Sequence, residues 1–330
     1  MSYAMQNLAA ARKMHRRFKM TCIVPNCQGV LCGRPAIKSH SIQHNGILSR
    51  LSEKGKVYCL GENTKNESVF VYALKDVGVS GEASVFKCLC SEHDKKLFSD
   101  IEDCAFSCED KQYFEYALKA VLYSYWDKCN AAAMNFFDEK TMHHVNPFCS
   151  FVLNHFEKQV LDDREAYYNE LIRFWEIMKN EQYGDLLSWR FIISKEVNCA
   201  VSTSINVYRK FNGSPFGTEN SRYPLLHISL FPSDGKSYLL ISCLRENEEY
   251  FKVFTSQLVM LSEDSILKRF NVLLPLLSDN IMISPRVVDK MSEKERYELL
   301  TVFNCKTSSC YLNNTVSIDA LSTQVSYNIF

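Results

Sequence analysis

The sequence has 330 residues, 46% of them hydrophobic and 23% charged, and its 38 basic and 38 acidic side chains balance. With only 11 glycines and 8 prolines, the composition excludes long disordered linkers and predicts a folded protein with a substantial core. No apolar run approaches the roughly 20 residues that cross a bilayer, and no secretory signal begins the chain. These features predict a cytoplasmic protein that does not contact membranes.

The first predicted element is a basic helix over residues 4–20. Residues 1–56 carry ten Lys or Arg side chains and one acid, Glu53, which leaves 28 basic and 37 acidic residues for the rest of the chain. A basic end on an otherwise acidic chain favours contact with nucleic acid; a solvated helix, or one that docks on the chain's own acidic part, is the alternative. The residues expected to contact nucleic acid are Arg12, Lys13, Arg16, Arg17, Lys19 and Lys38.

Two pairs of metal-binding residue types follow. Cys22 and Cys27 flank a tight turn, and Cys90 and His93 stand where a strand ends and a helix begins. Short strands are predicted between the pairs, at 57–60, 69–74 and 85–88. Because a chain with fourteen cysteines and no export signal is not expected to form a disulfide framework, clustered cysteines are interpreted first as metal ligands.

The spacing of these pairs predicts one tetrahedral zinc site built from three thiolates and one imidazole. The predicted zinc ligands are Cys22, Cys27, Cys90 and His93. A cysteine turn, a hairpin and a ligand pair that opens a helix is the order of a treble-clef finger. The alternative ligands are Cys32, Cys88 and His40. Cys88 and Cys90 alternate on one face of a strand, so either is a candidate for the third thiolate.

Helices dominate the middle of the chain and strands the C-terminal part. Apolar residues at helical spacing predict helices at 111–132 and 159–179. The apolar period then shifts toward two, and a turn at 232–235 predicts a hairpin. The predicted strands are 190–193, 199–208, 225–231 and 237–244. The later predicted helices are 248–260, 264–276 and 292–300, the last with Ser292 and Glu295 at capping-box spacing.

The predicted fold class is therefore α+β, in three successive domains. Residues 1–108 form the zinc-binding treble-clef module, residues 109–185 a helical connector, and residues 186–330 a mixed sheet with helices. No motif assigns a chemical role to the last domain, which is expected to dock a protein partner, dimerise or sense a ligand.

Four motifs between residues 22 and 102 resemble those of a known family. A cysteine pair is followed by Ser-His-x-x-Gln at 39–43, then by Cys-x-x-His-Asp at 90–94 and Ile-Glu at 101–102. This pattern resembles a widespread, poorly characterised bacterial family. At a greater distance the layout resembles the HNH endonucleases, in which a histidine activates water and a metal ion stabilises the phosphoryl oxygens. The resemblance implies His40 as general base and Asp94 as ligand of a catalytic Mg²⁺ or Mn²⁺.

The residue before the predicted base departs from the HNH pattern. That position usually holds an acidic or histidine metal ligand, and here it is Ser39. Two functions are therefore expected to compete. One is an HNH-like, metal-dependent endonuclease, associated with bacterial defence against phage; the other is a non-catalytic zinc module that binds nucleic acid or a partner protein. A structural zinc ion is common to both.

Overall fold

A computed structural model of the chain describes residues 20–62, 72–135, 147–207, 209–216, 224–278, 280–305 and 317–330. These residues form two compact units, each assembled from separated stretches of chain. The first unit takes its described residues from 20–39, 86–98, 121–135 and 147–182. The second unit takes the others, from 40–85, 99–120 and 183–330. The three predicted domains follow the order of the chain, whereas these units are defined by packing.

Helices and strands are both abundant among the described residues, as the predicted α+β class requires. The strands are β1 (Ser39–His40), β2 (Lys56–Glu62), β3 (Tyr72–Gly78), β4 (Val85–Phe86), β5 (Leu186–Ile193), β6 (Cys199–Asn206), β7 (Leu225–Ser233), β8 (Lys236–Leu244) and β9 (Ile281–Ile283). The helices are α1 (Ser49–Leu51), α2 (Ser91–Glu102), α3 (Asp110–Asn135), α4 (Pro147–Asn180), α5 (Glu248–Val259), α6 (Glu263–Leu277), α7 (Pro285–Val288), α8 (Glu293–Asn304) and α9 (Ile318–Gln324). Within the part of the chain that the structure describes, no helix combines the length and apolarity needed to span a membrane.

The first unit contains a short hairpin near its start. Pro25 pairs with Leu31 across the hairpin, and the chain reverses between them. The Asn26 side chain stabilises the reversal by accepting a hydrogen bond of 3.0 Å from the backbone N–H of Val30. Gly29 supports the turn with a φ of +79°, a left-handed conformation that glycine adopts without steric cost. The hairpin is therefore specified locally by its turn residues.

Seven strands of the second unit form one antiparallel sheet in the order β3-β2-β9-β6-β7-β8-β5. The predicted hairpin is confirmed as β7 and β8, paired in register from His227–Ser242 to Ser233–Lys236. Strand β9 was not predicted from the sequence. It has three residues, and it joins the β2–β3 pair to the rest of the sheet by pairing with both β2 and β6.

The two faces of this sheet differ in polarity. One face joins the hydrophobic core with α5 and α6 through residues that include Val201, Ile228, Ile241, Phe254 and Phe270. The other face carries a row of polar side chains across four strands, β6, β7, β8 and β5: Ser204, His227 and Ser242, which are buried, and Ser188, which is half-buried. Ser204 Oγ lies 2.7 Å from His227 Nδ1, and the hydroxyls of Ser188 and Ser242 lie 2.8 Å apart. Hydrogen bonds within the row therefore offset part of the cost of burying it.

Helix ends follow local capping rules. The capping box predicted for α8 is confirmed, because Ser292 N–H donates to Glu295 Oε2 at 2.8 Å and Glu295 N–H donates to Ser292 Oγ at 3.3 Å. Helix α4 begins at Pro147, twelve residues before the predicted start at residue 159. Proline at the first helical position is favourable, since its missing N–H has no intrahelical partner there.

Candidate metal centre

Four side chains of the first unit bring their ligand atoms together. They are Cys22, Cys32, Cys90 and His93, and the ligand atoms all lie within 4.8 Å of one another. His93 Nδ1 is 3.2 Å from Cys22 Sγ and 3.5 Å from Cys90 Sγ. With metal–ligand distances of about 2.3 Å to sulfur and about 2.0 Å to nitrogen, a tetrahedral zinc site separates its S and N ligands by roughly 3.5 Å. The donor set and its spacing therefore fit a zinc ion.

The hairpin explains why Cys22 and Cys32 meet. Cys22 N–H donates to Arg34 O at 2.7 Å, and Cys32 N–H donates to Val24 O at 2.9 Å. Gly33 N–H returns to Cys22 O at 3.0 Å, and Gly33 takes a φ of +67° to do so. These bonds hold the two cysteines on facing arms of the hairpin, where their thiols converge.

Cys27 was predicted as a ligand from its spacing to Cys22, and it lies outside the four-residue group. It is exposed, in the turn that begins at Asn26, and the third thiol of the group is Cys32. The physical reason is the position of the chain reversal. Because the turn itself holds Cys27, the thiol that returns to Cys22 comes from the opposite arm, ten residues along the chain.

The other two members of the group stand at the start of α2. Cys90 directly precedes the helix, and its carbonyl accepts from Asp94 N–H at 2.9 Å; His93 is in the first turn. Residues three apart share a helix face, and the positive end of the helix dipole stabilises a thiolate. Cys88, the alternative to Cys90, is fully buried and its thiol donates to Leu122 O at 3.7 Å. It is not part of the group.

Burial and hydrogen bonding shift the pKa values of Cys22, Cys32 and His93. Burial raises the pKa of the Cys22 thiol to about 11, so metal binding there must displace a proton. Hydrogen bonding from Arg34 lowers the pKa of the Cys32 thiol to about 7. Burial also lowers the pKa of His93, which favours the neutral imidazole that ligates metals.

The two residues predicted as catalytic fall in different units. Asp94 is half-buried in the first turn of α2 in the first unit, and His40 belongs to the second. His40 Nε2 lies 3.0 Å from Val79 O. Because a carbonyl oxygen only accepts hydrogen bonds, we assign the proton to Nε2 and the lone pair to Nδ1. Burial lowers the pKa of His40, so the ring is neutral at pH 7.

Hydrogen bonds also anchor the backbone of the Ser-His-x-x-Gln segment. Lys119, only 1% exposed, donates from Nζ to His40 O at 3.1 Å and forms an ion pair with Glu102. Gln43 Nε2 donates to Glu102 O at 2.8 Å. Ser39, the position that departs from the HNH pattern, is buried. Structural hydrogen bonds therefore account for much of this motif, and the sequence alone did not indicate Lys119 as its anchor.

Most residues predicted to contact nucleic acid are not placed by the structure. Arg12, Lys13, Arg16, Arg17 and Lys19 lie outside the described residues. Lys38 is described, and it is exposed in the first unit.

The fold and the site define an α+β protein with a Cys3His group of metal-binding geometry. The chain matches no protein-family model, no curated protein and no solved structure. We therefore infer its function from the Cys3His group and from the basic residues near the start of the sequence.

Proposed function

We propose that the first unit binds a structural zinc ion through its Cys3His group, and that the protein uses this zinc module to bind nucleic acid. The observation that carries the proposal is the convergence of three thiols and one imidazole within 4.8 Å. Four protein ligands fill a tetrahedral coordination sphere, which suits a structural ion better than a catalytic one that keeps an open position. A hairpin that supplies two ligands and a helix start that supplies two are also consistent with a treble-clef finger.

Charge supports the nucleic-acid part of the proposal. The first 40 residues contain seven Lys or Arg side chains and no acid. A concentration of positive charge beside a small metal-stabilised fold is suited to neutralising backbone phosphates, and such contacts release counterions from the nucleic acid. Affinity for any polyphosphate strand is therefore expected to depend steeply on salt.

We expect simultaneous replacement of Arg12, Lys13, Arg16 and Arg17 by glutamine to weaken binding to a 20-nucleotide duplex at least tenfold at low salt. Each lost phosphate contact lowers the slope of log K against log salt by about 0.9, so the quadruple variant is expected to lose about 3 to 4 from that slope. Fluorescence anisotropy over a salt series measures both quantities, with DNA and RNA duplexes and single strands as separate probes.

The matched control neutralises four exposed lysines of the second unit: Lys252, Lys268, Lys290 and Lys294. It removes the same charge and is expected to keep the wild-type slope. Equal weakening in both variants would show that net charge, rather than the basic N-terminal segment, determines binding.

A metal-dependent endonuclease is the second candidate function, and the state of His40 favours it. A neutral imidazole whose Nε2–H is held by Val79 O presents a lone pair at Nδ1, which is the form a general base needs. Among the described residues, the Cys3His group is the only set of three or more metal-binding side chains, and it contains no carboxylate. A catalytic Mg²⁺ or Mn²⁺ at Asp94 would thus need ligands from outside the Cys3His group. Nucleic-acid binding is therefore the first candidate function and cleavage the second.

If the protein cleaves nucleic acid, His40→Ala is expected to reduce the rate by about 100-fold or more, the range in which a general base contributes. Cleavage of plasmid DNA and structured RNA with Mg²⁺ or Mn²⁺ measures the rate, and zinc content measured in parallel should stay at the wild-type value. Unchanged cleavage in His40→Ala would remove the assignment of the base. No cleavage by the wild type under any of these conditions would leave binding as the function.

A further inference from the structure

Arg34 stands beside the Cys3His group and contacts it from the hairpin side. Its Nε donates to Cys32 Sγ at 3.1 Å, and its Nη1 donates to Glu92 Oε2 at 2.6 Å. The backbone carbonyl of the same residue accepts from Cys22 N–H at 2.7 Å. Arg34 therefore contacts two members of the group and the first turn of α2, all within the first unit.

The hydrogen bond from Arg34 to Cys32 places a positive charge beside a centre that is expected to be negatively charged when it holds zinc. Three thiolates and a neutral imidazole around Zn²⁺ leave a net charge of about −1 on the centre. Cys22 and Cys90 are buried, whereas Cys32 is partly exposed and lies on an arm of the hairpin. Cys32 is thus the thiolate most open to water, and it is the one that receives the guanidinium hydrogen bond.

The fork of the guanidinium adds a geometric constraint. Arginine presents several N–H donors in one rigid plane, so it can bind a sulfur and a carboxylate at the same time. Here it spans the hairpin, through Cys32, and the start of α2, through Glu92. These two segments each supply two members of the group, so the bridge fixes the separation that the ligands need.

We propose that Arg34 is a positioning residue of the metal centre: it holds the Cys32 thiolate in ligating geometry and offsets the charge of the centre, with Glu92 as its anchor. The inference rests on the proposed zinc function. Arg34 is basic and half exposed, and its ion pair with Glu92 lies within the first unit.

The test measures zinc affinity by competition with a chromophoric chelator. Partners that orient metal ligands typically contribute about 10–100-fold to affinity. Because Arg34 is half exposed, we expect Arg34→Met to weaken zinc binding by about tenfold, the lower end of that range, with stoichiometry and circular dichroism unchanged. Lys95→Met is the matched control: Lys95 is exposed on α2, and its loss removes one positive charge with no expected change in affinity.

Glu92→Gln provides a second variant: Glu92 is exposed on α2, so the substitution is expected to leave the fold intact. It is expected to weaken binding by about threefold in wild type and to have no further effect in the Arg34→Met background, because coupled residues are not additive. Zinc affinity in Arg34→Met equal to that of Lys95→Met, or a full Glu92→Gln effect without Arg34, would overturn the inference. Absence of zinc from the folded wild type would instead overturn the proposed zinc function itself.

Discussion

We expect the wild-type protein purified without added metal to carry one zinc ion per chain, and Cys22→Ser to carry none. Cys22 is fully buried and its sulfur lies 3.2 Å from His93 Nδ1, so a serine there removes one of the four side chains of the Cys3His group. Structural zinc contributes on the order of 10 kcal/mol to the folding of small fingers. Loss of the ion is therefore expected to unfold the hairpin, measured as lost hydrogen-exchange protection at residues 22–34.

The matched pair Cys27→Ser and Cys32→Ser distinguishes the ligand set of the structure from that of the sequence. Cys27 is exposed in the turn, and its variant is expected to keep the full zinc content by mass spectrometry. Cys32→Ser is expected to lose the ion, since Cys32, unlike Cys27, belongs to the four-residue group that includes Cys22. The opposite result, zinc retained without Cys32 and lost without Cys27, would restore the set predicted from spacing.

Lys119→Met is expected to lower the free energy of unfolding of the second unit by about 2–4 kcal/mol. Breaking a buried ion pair typically costs about 3–5 kcal/mol, and Glu102 is one-third exposed, which reduces the loss because water solvates the remaining carboxylate. Methionine keeps most of the packing of the lysine stem, so the change reports mainly the lost charge and hydrogen bonds. Urea denaturation followed by circular dichroism and by tryptophan fluorescence measures the effect.

Lys56→Met is the control for this change. Lys56 pairs with Asp76 on the surface of the same unit, and both side chains are more than half exposed. Solvent screens such a pair, so the urea midpoint is expected to match that of the wild type. If Lys119→Met leaves the midpoint equally unchanged, Lys119 does not anchor the segment that carries His40.

Part of the Cys3His group could be predicted from the sequence because its residue types are rare and closely spaced. Cys90 and His93, three apart at a helix start, were expected to share a face, and Cys22 opens the cysteine pair that precedes them in the sequence. Cys32 was only an alternative, since spacing favours the shorter Cys22–Cys27 loop. The signal that could have identified it is the turn chemistry of Asn26 and Gly29, which places Cys27 within the reversal.

The sheet was predictable where local signals were strong. The β7–β8 hairpin has a turn of known chemistry between two apolar strands, and it was located correctly. Strand β9 is too short to show an alternation of apolar and polar residues. Its place between β2 and β6 depends on contacts between residues far apart in sequence. The polar row of Ser204, His227, Ser242 and Ser188 could not be predicted either, because only strand register brings these side chains together.

The assembly of each unit from separated stretches has a consequence for synthesis on the ribosome. All four members of the metal group have been translated once residue 93 is added, yet the first unit also draws on residues 121–135 and 147–182. During synthesis the three thiols of the Cys3His group are therefore present well before Leu122 has been translated. The carbonyl oxygen of Leu122 accepts the hydrogen bond from the Cys88 thiol. Early capture of a metal ion would protect those thiols from oxidation during that interval, since the first unit has all of its residues only once residue 182 has been translated.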